Sequence, residues 1–198
     1  MAKEIIPESN TSLPSASQLK AELKRERNRR RFQQIIKSSI YTLIVVAAVA
    51  VLITTLVLPV LEIAGTSMEP TLINGDIVVL LKTDKLERGD LCGFSYSNKI
   101  LIKRVIGLPG DVIYIDTDGT VYVNGVLIEE PYISEPGLGE CDITFPYTVP
   151  EESYFLMGDR RATSIDSRNT VIGCIPKDQI IGKLFFKVWP LNDIKLFN

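Results

Sequence analysis

The feature that most limits what this chain can fold into is a run of 24 residues, Ser38 to Leu61, with no Asp, Glu, Lys or Arg. It reads SSIYTLIVVAAVAVLITTLVLPVL. As a helix it is about 36 Å long, enough to cross a hydrocarbon core with some tilt. Core helices of globular proteins are seldom apolar on every side for so long, so the run reads as a membrane span. Nine Lys/Arg and four Asp/Glu precede it, net +5, while 13 Lys/Arg and 20 Asp/Glu follow it, net −7. Clustered bases beside a span stay on the cytoplasmic side. The expected layout is a basic cytoplasmic tail over 1–37, a signal anchor over 38–61 and an extracytoplasmic domain over 62–198. The segment before the span is too long and too charged for a cleaved signal peptide. The basic cluster KRERNRRR reads as a topology signal and a site for anionic lipid rather than as a nucleic-acid patch.

Residues 1–17 are polar and expected to be disordered. Residues 18–37 carry helical character, with Glu26 four positions before Arg30, and this helix is expected to run on into the span until Pro59. After Leu61 the period changes. Short β-like runs at 76–82, 90–96, 99–108, 111–116, 120–125, 153–159 and 180–189 are separated by turn pairs, among them Asn74-Gly75, Pro109-Gly110, Asp118-Gly119 and Asn124-Gly125. Many short strands with such turns imply a mostly β domain, a sandwich or barrel-like body behind one N-terminal transmembrane helix. The stretch 129–150 reads as a loop excursion. DTDG at 116–119 has its glycine too early for a calcium loop and reads as a hairpin turn. Cys92, Cys141 and Cys174 permit one disulfide at most. With no histidine and no Cys-x-x-Cys, a zinc site is not expected.

The absence of histidine sharpens the search for chemistry. GTSMEP at 65–70 places Ser67 just past the span. A nucleophilic serine needs a base, and the usual one is missing. Lysine serves when an apolar site lowers its pKa towards neutrality. ILIKRVIGLPGD at 100–111 embeds Lys103 in apolar sequence, whereas the neighbouring Arg104 cannot give up its proton. Both faces of this strand are apolar, so alternation does not say which of Lys103 and Arg104 points inward. A turn serine and a solvated strand lysine fit these two stretches as well. A third stretch, MGDRRATSIDSRNTVIG at 157–173, is dense in carboxylates, guanidinium groups and hydroxyls, which suit either a polar loop or a rigid support for a site.

Taken together the three stretches resemble type I signal peptidases, membrane-bound Ser-Lys serine proteases that release signal peptides. The pattern S-M-x-P-T-L is met by Ser67-Met68-Glu69-Pro70-Thr71-Leu72, and K-R-x-x-G-x-P-G-D by Lys103 to Asp111. The pattern G-D-N-R-x-x-S-x-D-S-R is met at Gly158, Asp159, Arg161, Ser164, Asp166, Ser167 and Arg168, with Arg160 in place of Asn. The resemblance implies Ser67 as nucleophile and Lys103 as general base. It further implies Ser164 as a hydrogen-bond partner of the lysine amine, with Asp159, Asp166 and Arg168 as supports. It implies a mostly β catalytic domain on the outer face of the plasma membrane, with signal peptides of translocated preproteins and membrane lipid as partners. No nucleic-acid partner, metal or cofactor is implied. Gly65 stands where some members carry an oxyanion serine, as in Gram-positive forms. Rival readings are a non-catalytic membrane-tethered β domain for assembly or chaperoning, and a peptidase with a narrow client set such as pilins.

Overall fold

The structure, a computed structural model, describes residues 16–197. The expectation for the N-terminal tail falls almost wholly outside these residues. Only Ala16 and Ser17 are described, and both are already helical. Helix α1 (Ala16–Val57) is one uninterrupted element that joins the basic segment to the apolar run. It contains no Gly or Pro and stops two residues short of Pro59, where a ring nitrogen would end the hydrogen-bond ladder. Glu26 and Arg30 meet at 3.6 Å along its surface, as their spacing predicts. Tyr41, Leu43, Ile44, Val46 and Leu52 are all exposed. A helix that displays side chains of this kind on all sides is stable in hydrocarbon, not in water.

The second compact unit, Ile53–Asn198, holds twelve strands. They are β1 (Val60–Glu62), β2 (Ile77–Leu81), β3 (Leu91–Tyr96), β4 (Lys99–Gly107), β5 (Val112–Ile115) and β6 (Val121–Val123), followed by β7 (Val126–Leu127), β8 (Tyr147–Thr148), β9 (Ser153–Met157), β10 (Ile175–Pro176), β11 (Ile180–Trp189) and β12 (Lys195–Leu196). The larger sheet runs β1-β2-β11-β3-β4-β9-β10 with β12 on β11, and the smaller runs β7-β6-β5-β8. All the pairings are antiparallel.

Each run expected as a strand contributes one. The five additional strands are two or three residues long, too short to show a period. One of them, β8, lies inside the excursion at 129–150. Asp118-Gly119 closes the β5–β6 hairpin: the Gly119 N–H donates to the Asp116 carbonyl at 2.9 Å. The β3–β4 hairpin turns on Ser97 and Asn98, both at positive φ (44° and 61°), the twist that a two-residue hairpin needs. All three cysteines are free thiols.

Three apolar clusters meet around β4. Ile102 packs with Met68, Leu72 and Leu80 in one. Val105 packs with Phe94 and Leu156 in another, and Ile106 packs with Ile113, Val123 and Phe155 in the third. From Ile102 to Gly107 the strand is buried at every position. A strand covered on both faces loses its alternation signal, which is why the sequence cannot orient Lys103 and Arg104. Both point inward, to opposite sides.

Candidate active site

Ser67 sits in a tight turn after β1. The Glu69 N–H donates to the Thr66 carbonyl at 3.1 Å, and the Leu72 N–H to the Met68 carbonyl at 2.9 Å. Met68 and Leu72 are buried in the first cluster and anchor the turn from below. Gly65 enters it at φ 102°, a conformation that residues with a Cβ rarely adopt. Its N–H donates to Asn74 Oδ1 at 2.9 Å, so that donor is already engaged.

The Lys103 amine donates to Ser67 Oγ across 2.7 Å, between residues 36 apart in sequence. Lys103 is only 4% exposed. Burial lowers its pKa from the usual lysine value; Asp166 pulls it back up, Arg168 pushes it down, and Asp159 raises it. Among the described residues, no carboxylate touches the amine. The arrangement therefore shifts the amine towards its neutral form, the form that can accept a proton. Cys92 offers no competing base, since burial in another cluster pushes its thiol well above the usual range.

The 157–173 stretch closes over this pair. Gly158 is required by close approach: a Cβ there would stand 2.2 Å from Ser164 Oγ and 2.6 Å from the Ser67 carbonyl oxygen. The Arg160 N–H donates to that same carbonyl at 3.0 Å. Asp166 is fully buried and takes Arg168 Nε and Nη2, each at 2.8 Å, and the Gly158 N–H at 2.9 Å. Burial alone would raise the Asp166 pKa, but the paired guanidinium and the backbone donor hold it below the usual carboxylate value. Arg168 also donates to the Leu138 carbonyl at 2.6 Å and the Arg161 carbonyl at 3.0 Å, which ties the excursion to the site.

Ser164 lies behind Gly158. It is 1% exposed, and its Oγ has no hydrogen-bond partner among the described residues. The hydroxyl nonetheless helps to hold the Asp166 carboxyl below its usual value. Lys103 donates to Ser67 and not to Ser164. The hydroxyl is held against Gly158, and its role towards the amine remains an expectation of the resemblance.

Asp159 supports the other side. It receives Arg104 Nε at 2.8 Å and Nη2 at 2.6 Å, and the Thr71 hydroxyl. It thus bridges β4 to the Ser67 turn. The Arg104 guanidinium lies 3.8 Å from the centre of the Tyr132 ring. The Tyr132 hydroxyl donates to Glu130 at 2.8 Å, and burial followed by the charge of Glu130 pushes this phenol up, so it stays a donor. Glu130 in turn forms a two-pronged ion pair with buried Arg161.

Sequence reasoning missed Arg104, Thr71, Glu130 and Tyr132 as parts of this framework. A signal was present. The stretch 157–173 holds three arginines and two aspartates, so its buried cations must find acids elsewhere. Glu130, in the excursion, is one of them.

A cleft of about 260 Å3 leads to the pair, lined by Ile63, Gly65, Ser67, Met68, Ile100, Ile102 and Lys103 among others. On the side facing β9, only Arg104 to Gly107 of β4 are paired. Among the described residues, no strand pairs with Lys99–Lys103 on that side, which leaves an open edge beside Ser67.

Residues 36–189 match the family described as "Signal peptidase, peptidase S26". Signal peptidase I of Bacillus licheniformis is 36% identical over 166 residues, 77% of this chain and 88% of that one. Signal peptidase IB of Staphylococcus aureus is 37% identical over 154 residues, 67% of this chain and 78% of that one. A crystal structure of a signal peptidase I from Enterococcus faecalis aligns with a TM-score of 0.42 at 32% identity, over 50% of this chain and 97% of that one.

Proposed function

The chain belongs to the signal peptidase family, peptidase S26, and on that premise we propose that Ser67 is its nucleophile and Lys103 its general base. It is a serine endopeptidase that removes signal peptides from preproteins, and its long apolar helix suits membrane anchoring. One observation carries the residue assignment: a buried lysine with a lowered pKa, free of carboxylate contacts among the described residues, lies 2.7 Å from a serine hydroxyl at the end of an open cleft.

The steps follow from this geometry. A signal peptide lies extended along the free edge of β4, adding to it as a strand. Small residues before the cut, of the Ala-x-Ala kind, suit a cleft of this size. The neutral Lys103 amine takes the Ser67 proton as Oγ attacks the scissile carbonyl. The oxyanion that forms is met by the Ser67 N–H. Lys103 then protonates the leaving amine, and an acyl-enzyme remains on Ser67. Water, deprotonated by Lys103, releases the signal peptide and restores the serine. Asp159 and Asp166 act at one remove, by fixing Arg104 and Arg168 and through them the walls around the amine.

The N-terminal basic segment is cytoplasmic in this reading, held by anionic lipid, with the β unit on the outer face of the plasma membrane. Gly65 in the oxyanion position favours a Gram-positive source. A non-catalytic assembly domain would have no use for a neutral lysine buried against a serine.

The deciding experiment is cleavage of a preprotein by the purified chain in detergent, beside Ser67→Ala. The parent is expected to cut after a small residue and Ser67→Ala to be inert while folded. A folded Ser67→Ala that still cuts would overturn the nucleophile. A parent that cuts nothing would overturn the activity.

A further inference from the structure

A second cleft, of about 550 Å3, opens on the other side of the Ser67 turn. Along the turn itself the first cleft is lined as far as Met68, whereas this one takes over at Glu69 and Pro70 and continues to residues 159–163. Its rim, Ser134 to Pro136, belongs to the excursion that Glu130 and Tyr132 anchor. It is thus a built feature beside the nucleophile. The backbone of Arg160 is pinned to the Ser67 carbonyl at 3.0 Å, and its Nη1 donates to Glu69 Oε2 at 2.7 Å. This pair faces solvent, with side chains 48% and 30% exposed.

The remaining charges around the cleft differ in kind. Asp159 and Arg161 are committed to Arg104 and Glu130, which do not line it. Glu135 is exposed and has no ion-pair partner among the described residues. The solvent-facing charge is therefore Glu69 and Glu135 against Arg160 alone. Arg160 also stands where the family pattern has a neutral Asn.

An endopeptidase must hold its substrate on both sides of the scissile bond. The geometry points to this second cleft as the seat of the first residues after the cut, with Arg160 setting their charge preference. While Arg160 neutralises Glu69, acidic side chains are admitted; without it, two uncompensated carboxylates select basic ones. The inference rests on the peptidase reading and extends it to the mature side of the substrate.

The test uses pairs of preprotein-derived peptides that carry Glu or Lys at the first, second or third residue after the cut. The ratio of kcat/KM for Glu over Lys is measured for the full chain in detergent, for Arg160→Asn and for Glu69→Gln. At one of these positions Arg160→Asn is expected to lower the ratio about fivefold and Glu69→Gln to raise it, the reach of a charge contact at a half-exposed site. A general loss of activity cancels in the ratio, so a merely structural role for Arg160 leaves it unmoved. Ratios unmoved at all three positions, or moved the same way by both variants, overturn the subsite while the peptidase reading stands. A parent that cleaves no peptide overturns both.

Discussion

Lys103 and Lys187 are almost equally hidden, at 4% and 2% exposed, yet they are opposite kinds of buried lysine. Lys187, on β11, donates to Asp76 at 3.3 Å and to Asp193. Burial alone would lower its pKa, but these two carboxylates reverse the sign and raise it. Lys103 has no carboxylate in contact among the described residues. Its nearest polar partner is the Ser67 hydroxyl, and burial wins. Desolvation thus disfavours the charge on both, and the contact decides the outcome. One lysine is a strut and the other is a reagent. The same distinction runs through the arginines: Arg104, Arg161 and Arg168 are all buried and all matched to carboxylates.

The comparison can be broken most severely at Lys103. Lys103→Arg retains a cation that cannot lose its proton, and activity is expected to fall on the order of a thousandfold. Preprotein cleavage measures it, and substantial activity in Lys103→Arg would end the general-base assignment.

Opposite responses to pH sharpen the contrast. Between the lowered folded pKa of Lys103 and its ordinary value of 10.5, the unfolded chain binds more protons than the folded one. Stability contributed at this site therefore rises with pH through that window. The stability of the parent relative to Lys103→Met is expected to climb as pH rises towards 10, and kcat/KM to rise with pH through the same folded pKa. Lys187 behaves inversely. Its contribution is complete below 10.5 and is lost as pH rises through its raised folded value. Denaturant titration of the two Met variants against the parent at several pH values reads both slopes, and slopes of the same sign would refute the distinction.

The smallest effect belongs to Asp193→Asn. Asp193 is 56% exposed in its side chain, so solvent screens its attraction and the expected loss is about 1 kcal/mol in urea unfolding. A loss much larger than this would mean that solvent does not screen the Asp193–Lys187 pair.

Much of this was legible in the chain. The uncharged run and the bases ahead of it gave the helix, and the turn pairs marked the hairpins of the β unit. Ser67 and Lys103 stood out because a chain without histidine leaves few bases. Legibility failed where the partner was remote. Arg161 meets Glu130 across 31 residues, and Arg160 meets Glu69 across 91; no local pattern pairs them. Ser164 is a different case: its motif implies a bond to the amine, and the fold holds its hydroxyl against Gly158.

By itself, then, the sequence determined which solvent each half of the chain requires and which side chains could do chemistry, because hydropathy, charge and residue type are local properties. Only the tertiary structure decided that Lys103 meets a hydroxyl and Arg104 a carboxylate. Period-two alternation orients side chains only when one face of a strand is wet, and β4 is covered on both.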